Sequence, residues 1–428
     1  MKILYISYYY PPNNEIASLR SMYQVKYLRQ LGADVSVVCF DSSTPEKIYS
    51  NQTENDHYVS STPTLSSLKE KFISKSRQSK KDVCKTNQEN KITQKIKNFL
   101  RKAIDSSLIE AIAEIYRLLH HTIFMIKAFF KSHNICKCSK YDFVYTSYGP
   151  ESTILIGYLI QKLFNVSLVT EFRDRWLNHP YNFEQKNYLH KKLILYLENL
   201  IASSSSVLIG VSPGMISELK QDHPSADLQL VCNGYDEPLK LENESYDLDI
   251  SLDKLTLVYT GSIYVGRQDL ELIFKALYEI NWPVEFIYCG KSYDYVEYLT
   301  KKHQIESKVL NLGFQPNHVS RMLQKESDVL LLLGWNDPLD KGVLTGKVFE
   351  YLAARKPILF CGYPDGDVND LITTTNSGKT CVTVTDVANF IESVRNNSSN
   401  FTFSNIDDYT RFNQTKNLFN ILKNHISQ

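Results

Sequence analysis

The sequence lacks most of the signals that assign a chain to a class at a glance. Its 428 residues carry a formal net charge of +1, so there is no global basic field of the kind that draws a protein onto nucleic acid. No stretch reaches the roughly 18 uninterrupted apolar residues of a membrane span. No basic-then-apolar leader precedes the first strand-like run, Lys2-Ile3-Leu4-Tyr5-Ile6-Ser7, and a cytoplasmic location is therefore expected. No Gly-x-Gly-x-x-Gly follows that run, which argues against a dinucleotide-dependent dehydrogenase. The eight cysteines are scattered, several within apolar runs such as Val37-Val38-Cys39, and read as buried thiols in a reducing compartment. Cys136-Lys137-Cys138 is too closely spaced for a zinc site.

What is there is an alternation. The length suits two domains of about 200 residues each. Apolar runs of strand length at 2–7, 34–40, 141–145, 167–172, 206–211 and 228–231 are separated by helical periods at 16–31, 151–164, 188–202 and 214–220. A second series follows, with strands at 255–259, 284–289, 309–312, 329–333 and 357–360 and helices at 269–280, 293–302, 319–324 and 346–354. Strand–helix–strand units of this kind predict α/β architecture with two Rossmann-like, doubly wound domains. The expected division is 1–237, then 238–406 after a polar, acidic linker at about 238–253, then a helical tail at 407–428 crossing back to the first domain. The 28 tyrosines read as half-buried strand and cleft residues, without functional meaning.

The first domain is interrupted at about 41–135. Residues 41–90 are polar and aperiodic and read as a partly disordered insertion. From 92 to 131 helical spacing returns, with a basic flank that includes Lys95, Arg101, Lys127 and Lys131. This stretch is either a pair of helices packed on the domain or an amphipathic patch for an anionic membrane surface.

Two loops carry candidate chemistry. Gly261 and Arg267 lie between an apolar strand and a helix; a glycine admits backbone N–H groups to an anion, and Arg267 is a planar cation suited to a diphosphate. The same turn is also common in any α/β fold. Further on, Thr345-Gly346-Lys347 opens a helix with Glu350 three residues beyond Lys347. The pair reads either as a surface ion pair on one helix face or as a phosphate-facing ammonium beside a carboxylate that accepts from ribose or sugar hydroxyls. Asp174 orients an acceptor hydroxyl, acts as a local base, or simply pairs with Arg173 or Arg175, and His179 lies nearby.

Taken in order, Tyr10-Pro11-Pro12 with Arg20, Thr170-Glu171-Phe172-Arg173-Asp174-Arg175-Trp176, Val211-Ser212-Pro213-Gly214-Met215, Asn233-Gly234-Tyr235-Asp236, Gly261 to Arg267, Gly313-Phe314 and Lys347 to Pro357 resemble the retaining GT-B glycosyltransferases of family four, in particular those of bacterial capsule and surface polysaccharide synthesis. The resemblance implies a donor cleft between the domains and transfer of a sugar, with retention, from a UDP- or GDP-linked donor to a glycan or lipid-linked acceptor. It implies no cofactor and no metal. Gly261, Arg267 and Lys347 would hold the diphosphate, Glu350, Thr345 and Gly346 the ribose and sugar, and Gly313 and Phe314 would lie beside the base. Arg173 and Asp174 would act at the acceptor, and Asn13, Asn14 and Arg20 would form the acceptor-side loop. Two departures stand out: Asn13-Asn14 replaces a glycine pair, and Gly342 occupies the place of the first of two glutamates, of which Glu350 is the second. The loss at Gly342 leaves a non-catalytic nucleotide-sugar-binding or scaffold protein as the alternative. No constellation of acids and a histidine suggests a sugar-nucleotide epimerase.

Overall fold

The computed structural model describes residues 1–11, 16–41, 54–61, 106–174, 176, 188–236 and 253–427. Its contacts divide the chain into two compact units, Met1–Asp174 with Asn199–Leu208, and Arg175–Glu198 with Ile209–Gln428.

The first sheet has seven strands in the order β3-β2-β1-β4-β5-β6-β7: β1 (Lys2–Ser7), β2 (Asp34–Phe40), β3 (Asp56–Val59), β4 (Phe143–Ser147), β5 (Ser167–Phe172), β6 (Val207–Gly210) and β7 (Leu228–Leu230). Strands β3, β2, β1, β4 and β5 pair in parallel. Parallel strands covered by helices on both faces must be apolar on both faces. That is why Ile3, Leu4, Tyr5 and Ile6 run without alternation and are all fully buried. Helices α1 (Ile16–Gln30), α2 (Ser106–Cys138), α3 (Glu151–Phe164), α4 (Tyr188–Ser204) and α5 (Pro213–Asp222) follow in chain order.

The second sheet is parallel throughout, in the order β10-β9-β8-β11-β12-β13. Its strands are β8 (Leu255–Thr260), β9 (Val284–Cys289), β10 (Val309–Asn311), β11 (Val329–Leu333), β12 (Ile358–Cys361) and β13 (Gly378–Thr380). Its helices are α6 (Leu270–Glu279), α7 (Tyr293–His303), α8 (Asn317–Glu326), α9 (Gly346–Ala354), α10 (Asp367–Thr374) and α11 (Val384–Arg395). The tail forms α12 (Arg411–Ile426). It is bonded to the chain around β7: Gln414 Oε1 accepts from the Cys232 amide at 2.7 Å and Asn417 Nδ2 donates to the Leu230 carbonyl at 3.1 Å.

The structure bears on two expectations. The stretch expected to be an insertion contains strand β3, which extends the sheet beyond β2. Four residues in a polar context leave no periodicity to read. The helical stretch begins, among the described residues, at Ser106 and continues as a single helix to Cys138; residues 92–105 lie outside the described part. One face of α2, His120, Phe124, Ala128 and Ser132, is buried at spacing i, i+4, i+8, i+12, so the packing reading holds for that face. Phe124→Ala should cost about 3–5 kcal/mol in urea unfolding, whereas Phe130→Ala, at a residue 59% exposed, should change stability by less than about 0.5 kcal/mol.

Candidate functional site

The chain runs from β8 to β9 to β10 in one direction across the second sheet, and from β11 to β12 to β13 in the other. The direction reverses between β8 and β11, and in open parallel sheets ligands bind at the carboxyl ends of the strands beside such a reversal. The residues at those ends here are Gly261 after β8, Gly313 and Phe314 after β10, and Trp335 after β11.

Gly261 has φ +126°, and a Cβ on it would stand 2.6 Å from Lys347 Nζ. Only glycine satisfies both the backbone conformation and the approach of the amine. Lys347 lies in the first turn of α9, whose N-cap, Thr345, is exposed and makes no side-chain capping bond. The first amides of a helix have no partner within it, and they favour an anion. The Lys347 ammonium stands 4.0 Å from the centroid of the Tyr259 ring. Desolvation pulls its pKa down to about 8, against the opposing charge of Glu350. Among the described residues no carboxylate closes on it to ion-pair distance, so the expected surface pair between Lys347 and Glu350 is not formed. Glu350 lies 3.5 Å from Gln324 Nε2, which donates to Thr260 Oγ1 at 2.7 Å. Gly346 lies beside Asn233, with 3.6 Å between its would-be Cβ and the Asn233 amide nitrogen.

Arg267 is drawn to the same edge. Gln268 bridges Trp335 and donates to the Leu333 carbonyl, and the Arg267 guanidinium lies 5.1 Å over the Trp335 ring. Gly313 accepts from the Gly290 amide at 2.8 Å and has φ +63°. Phe314 beside it is 70% exposed, with the Lys291 ammonium 5.6 Å from its ring. From β8 to β10 is two strand spacings, about 10 Å, a span that suits a phosphate group at one end and a planar ring at the other.

The first unit carries a different arrangement. Arg20 lies in α1, buried, with Nε 3.1 Å and Nη2 2.7 Å from Glu171 Oε1. Gln24, Tyr145 and Ser147 also donate to the Glu171 carboxylate, at 2.8–2.9 Å. Burial alone would raise the pKa of Glu171; the Arg20 charge and these hydrogen bonds outweigh it and hold it at about 2. Two residues on, the Arg173 guanidinium lies 6.0 Å over the Tyr9 ring. Asp174 is exposed and, among the described residues, pairs with neither Arg173 nor any other group. Asn13, Asn14, Arg175 and His179 lie outside the described residues. Sequence reasoning assigned no role to Glu171; its signal was a carboxylate inside an otherwise buried strand.

No protein-family model matches the chain, and no curated protein matches it. Solved structures do. Sucrose-phosphate synthase from Thermosynechococcus elongatus is similar with a TM-score of 0.60 at 13% identity, covering 100% of this chain and 97% of that one. HepE of Anabaena, in complex with UDP and glucose, is similar with a TM-score of 0.60 at 15% identity, covering 99% and 100%. A UDP-GlcNAc 2-epimerase from Methanocaldococcus jannaschii is similar with a TM-score of 0.53 at 10% identity, covering 99% and 100%. At such identities the likeness is one of fold. The chain has the GT-B fold, two α/β units each built on a parallel, Rossmann-like sheet.

Removing the charge of Glu171 takes from the buried Arg20 the carboxylate it pairs with, so Glu171→Gln should cost about 3–5 kcal/mol in chemical unfolding. Because its folded pKa is depressed from 4.5 to about 2, the stability it contributes is present above about pH 4.5 and is lost as pH falls through about 2. The wild-type and Glu171→Gln unfolding free energies should therefore converge as the solution is acidified across that window.

Proposed function

We propose that this chain is a glycosyltransferase that moves a sugar from a nucleotide-diphosphate donor to an acceptor hydroxyl with retention, in capsule, O-antigen or exopolysaccharide synthesis. The observation that carries the reading is the Lys347 ammonium, desolvated against Gly261 at the start of α9 with, among the described residues, no carboxylate at ion-pair distance. A preorganised cation beside unpaired helix amides stabilises a diphosphate as negative charge develops on it. In the step itself the bond from the anomeric carbon to the donor phosphate oxygen breaks and a bond to the acceptor oxygen forms on the same face. The acceptor proton passes to the departing phosphate. Lys347, Arg267 and the α9 amides carry the leaving charge without a metal. Glu350, positioned by Gln324, accepts from ribose or sugar hydroxyls. Gly313 and Phe314 flank the base, and Arg173 and Asp174 orient the acceptor. The HepE likeness, to a structure holding UDP and glucose, supports a nucleotide-sugar donor. The epimerase likeness shares only the fold.

The glycan acceptor is lipid-linked on this reading, and the protein is peripheral at the inner face of the cell membrane. Opposite the buried face of α2, Leu119, Ile126 and Phe130 form an exposed stripe at i, i+7, i+11. Between residues 116 and 140 there are five lysines and arginines and no acid (Arg117, Lys127, Lys131, Lys137 and Lys140). An apolar stripe flanked by cations matches an anionic lipid surface. Among the described residues no helix is long and apolar enough to cross a membrane. The protein should co-sediment with phosphatidylglycerol vesicles and not with phosphatidylcholine vesicles. Ile126→Asp with Phe130→Asp should abolish co-sedimentation; binding equal to wild type by that pair of substitutions would remove the membrane assignment.

Calorimetric titration with UDP, GDP and ADP tests the donor site. One nucleotide should bind, and Lys347→Ala or Glu350→Ala should weaken it about tenfold or more. Only the ammonium form of Lys347 attracts phosphate, so the wild-type affinity should decline as pH rises through about 8, and that decline should vanish in Lys347→Ala. Nucleotide binding without turnover on any nucleotide sugar would favour the scaffold alternative that the missing carboxylate at Gly342 suggests.

A further inference from the structure

The loop that delivers Lys347 to its place is held from outside at two adjacent residues, Lys341 and Gly342. The first half of the loop bonds to itself: Trp335 and Val343 amides donate to the Asp340 side chain and carbonyl, at 3.1 and 3.0 Å. The carbonyls of Lys341 and Gly342 are taken up elsewhere. Lys341 accepts from the Asp367 amide at 2.8 Å, and Gly342 accepts from Ser212 Oγ at 2.6 Å. Asp367, the first residue of α10, then reaches back with its carboxylate to the Gly214 amide at 2.7 Å. Ser212 is fully buried and Asp367 nearly so. Gly214 meets the loop backbone to backbone: a Cβ there would stand 2.6 Å from the Gly342 Cα and 3.0 Å from Asp367 Oδ2. No hydrogen bond or ion pair joins Ser212 or Asp367 to Lys347 among the described residues.

We propose that Ser212, Gly214 and Asp367 form a lock that fixes the 341–345 loop, and through it the first turn of α9, in the position where Lys347 meets the donor diphosphate. Ser212 and Asp367 are positioning residues for that site, and the inference rests on the donor-site reading above. A loop free to drift would have to be ordered at the moment of binding, and that cost would appear as lost affinity. The lock also accounts for Gly342. A side chain there would press on Gly214 C and Met215 N at 3.3 Å, so the carboxylate that the resemblance places at this position has been replaced by a backbone contact.

The test is calorimetric titration of UDP, GDP and ADP into wild type, Asp367→Ala, Asp367→Asn and Gly214→Ala, each with a thermal melt. Asp367→Ala and Gly214→Ala should bind the nucleotide about tenfold more weakly. Asp367→Asn, whose amide oxygen still accepts from Gly214, should recover most of the affinity. Alanine suits the second position of a helix better than glycine, so Gly214→Ala separates displacement of the loop from loss of fold. Affinities equal to wild type in both alanine variants, whatever their melting points, would overturn the lock. A folded wild type that binds none of the three nucleotides would overturn the donor site itself, and the lock with it.

Discussion

A partly desolvated positive charge that, among the described residues, has no carboxylate at ion-pair distance sets the terms for the edge of the second sheet. Lys347 is protonated at neutral pH, but burial has moved its pKa most of the way towards neutrality. Holding such a group in place requires the backbone to leave it room, hence glycine at 261 with a conformation that other residues rarely adopt. It requires a ring face rather than a carboxylate as its neighbour, hence Tyr259. It requires Glu350 to be engaged elsewhere, hence Gln324, which also bonds Thr260 at the end of β8. Each of these residues is ordinary alone. Together they leave one unit of charge available to whatever anion enters.

The first unit handles charge in the opposite way. Arg20 and Glu171 are more deeply buried than Lys347, and they pair with each other, with Gln24, Tyr145 and Ser147 also donating to the carboxylate. A buried, hydrogen-bonded pair of this kind orders the chain around it. Its position at the end of β5, just before Arg173 and Asp174, makes it the anchor of the segment that carries those two side chains.

The alternation of strands and helices was legible because parallel strands must be apolar on both faces, so each announces itself as an unbroken run. The same logic failed where the runs are short or polar: β3 was missed within its polar surroundings, and α10, β13 and α11 were not anticipated after β12. Gly261 and Lys347 were singled out because a glycine after a strand and a cation in the first helical turn are local signals. The lack of pairing between Lys347 and Glu350 was not, since spacing within a helix says nothing about what lies opposite each side chain. Arg20 with Glu171 is separated by 151 residues and Gly214 with Asp367 by 153. Neither pairing leaves a trace in sequence spacing.

Among the described residues, the four outer strands of the two sheets are short. β3 has four residues, and β7, β10 and β13 have three each. A long bare edge is a template onto which a second chain can add its own strand, and fibrous self-association starts there. With a net charge near zero, this protein has little electrostatic repulsion to keep copies apart. Stubby borders work against such addition: they deny a neighbouring molecule the run of amides and carbonyls it would need to zip on.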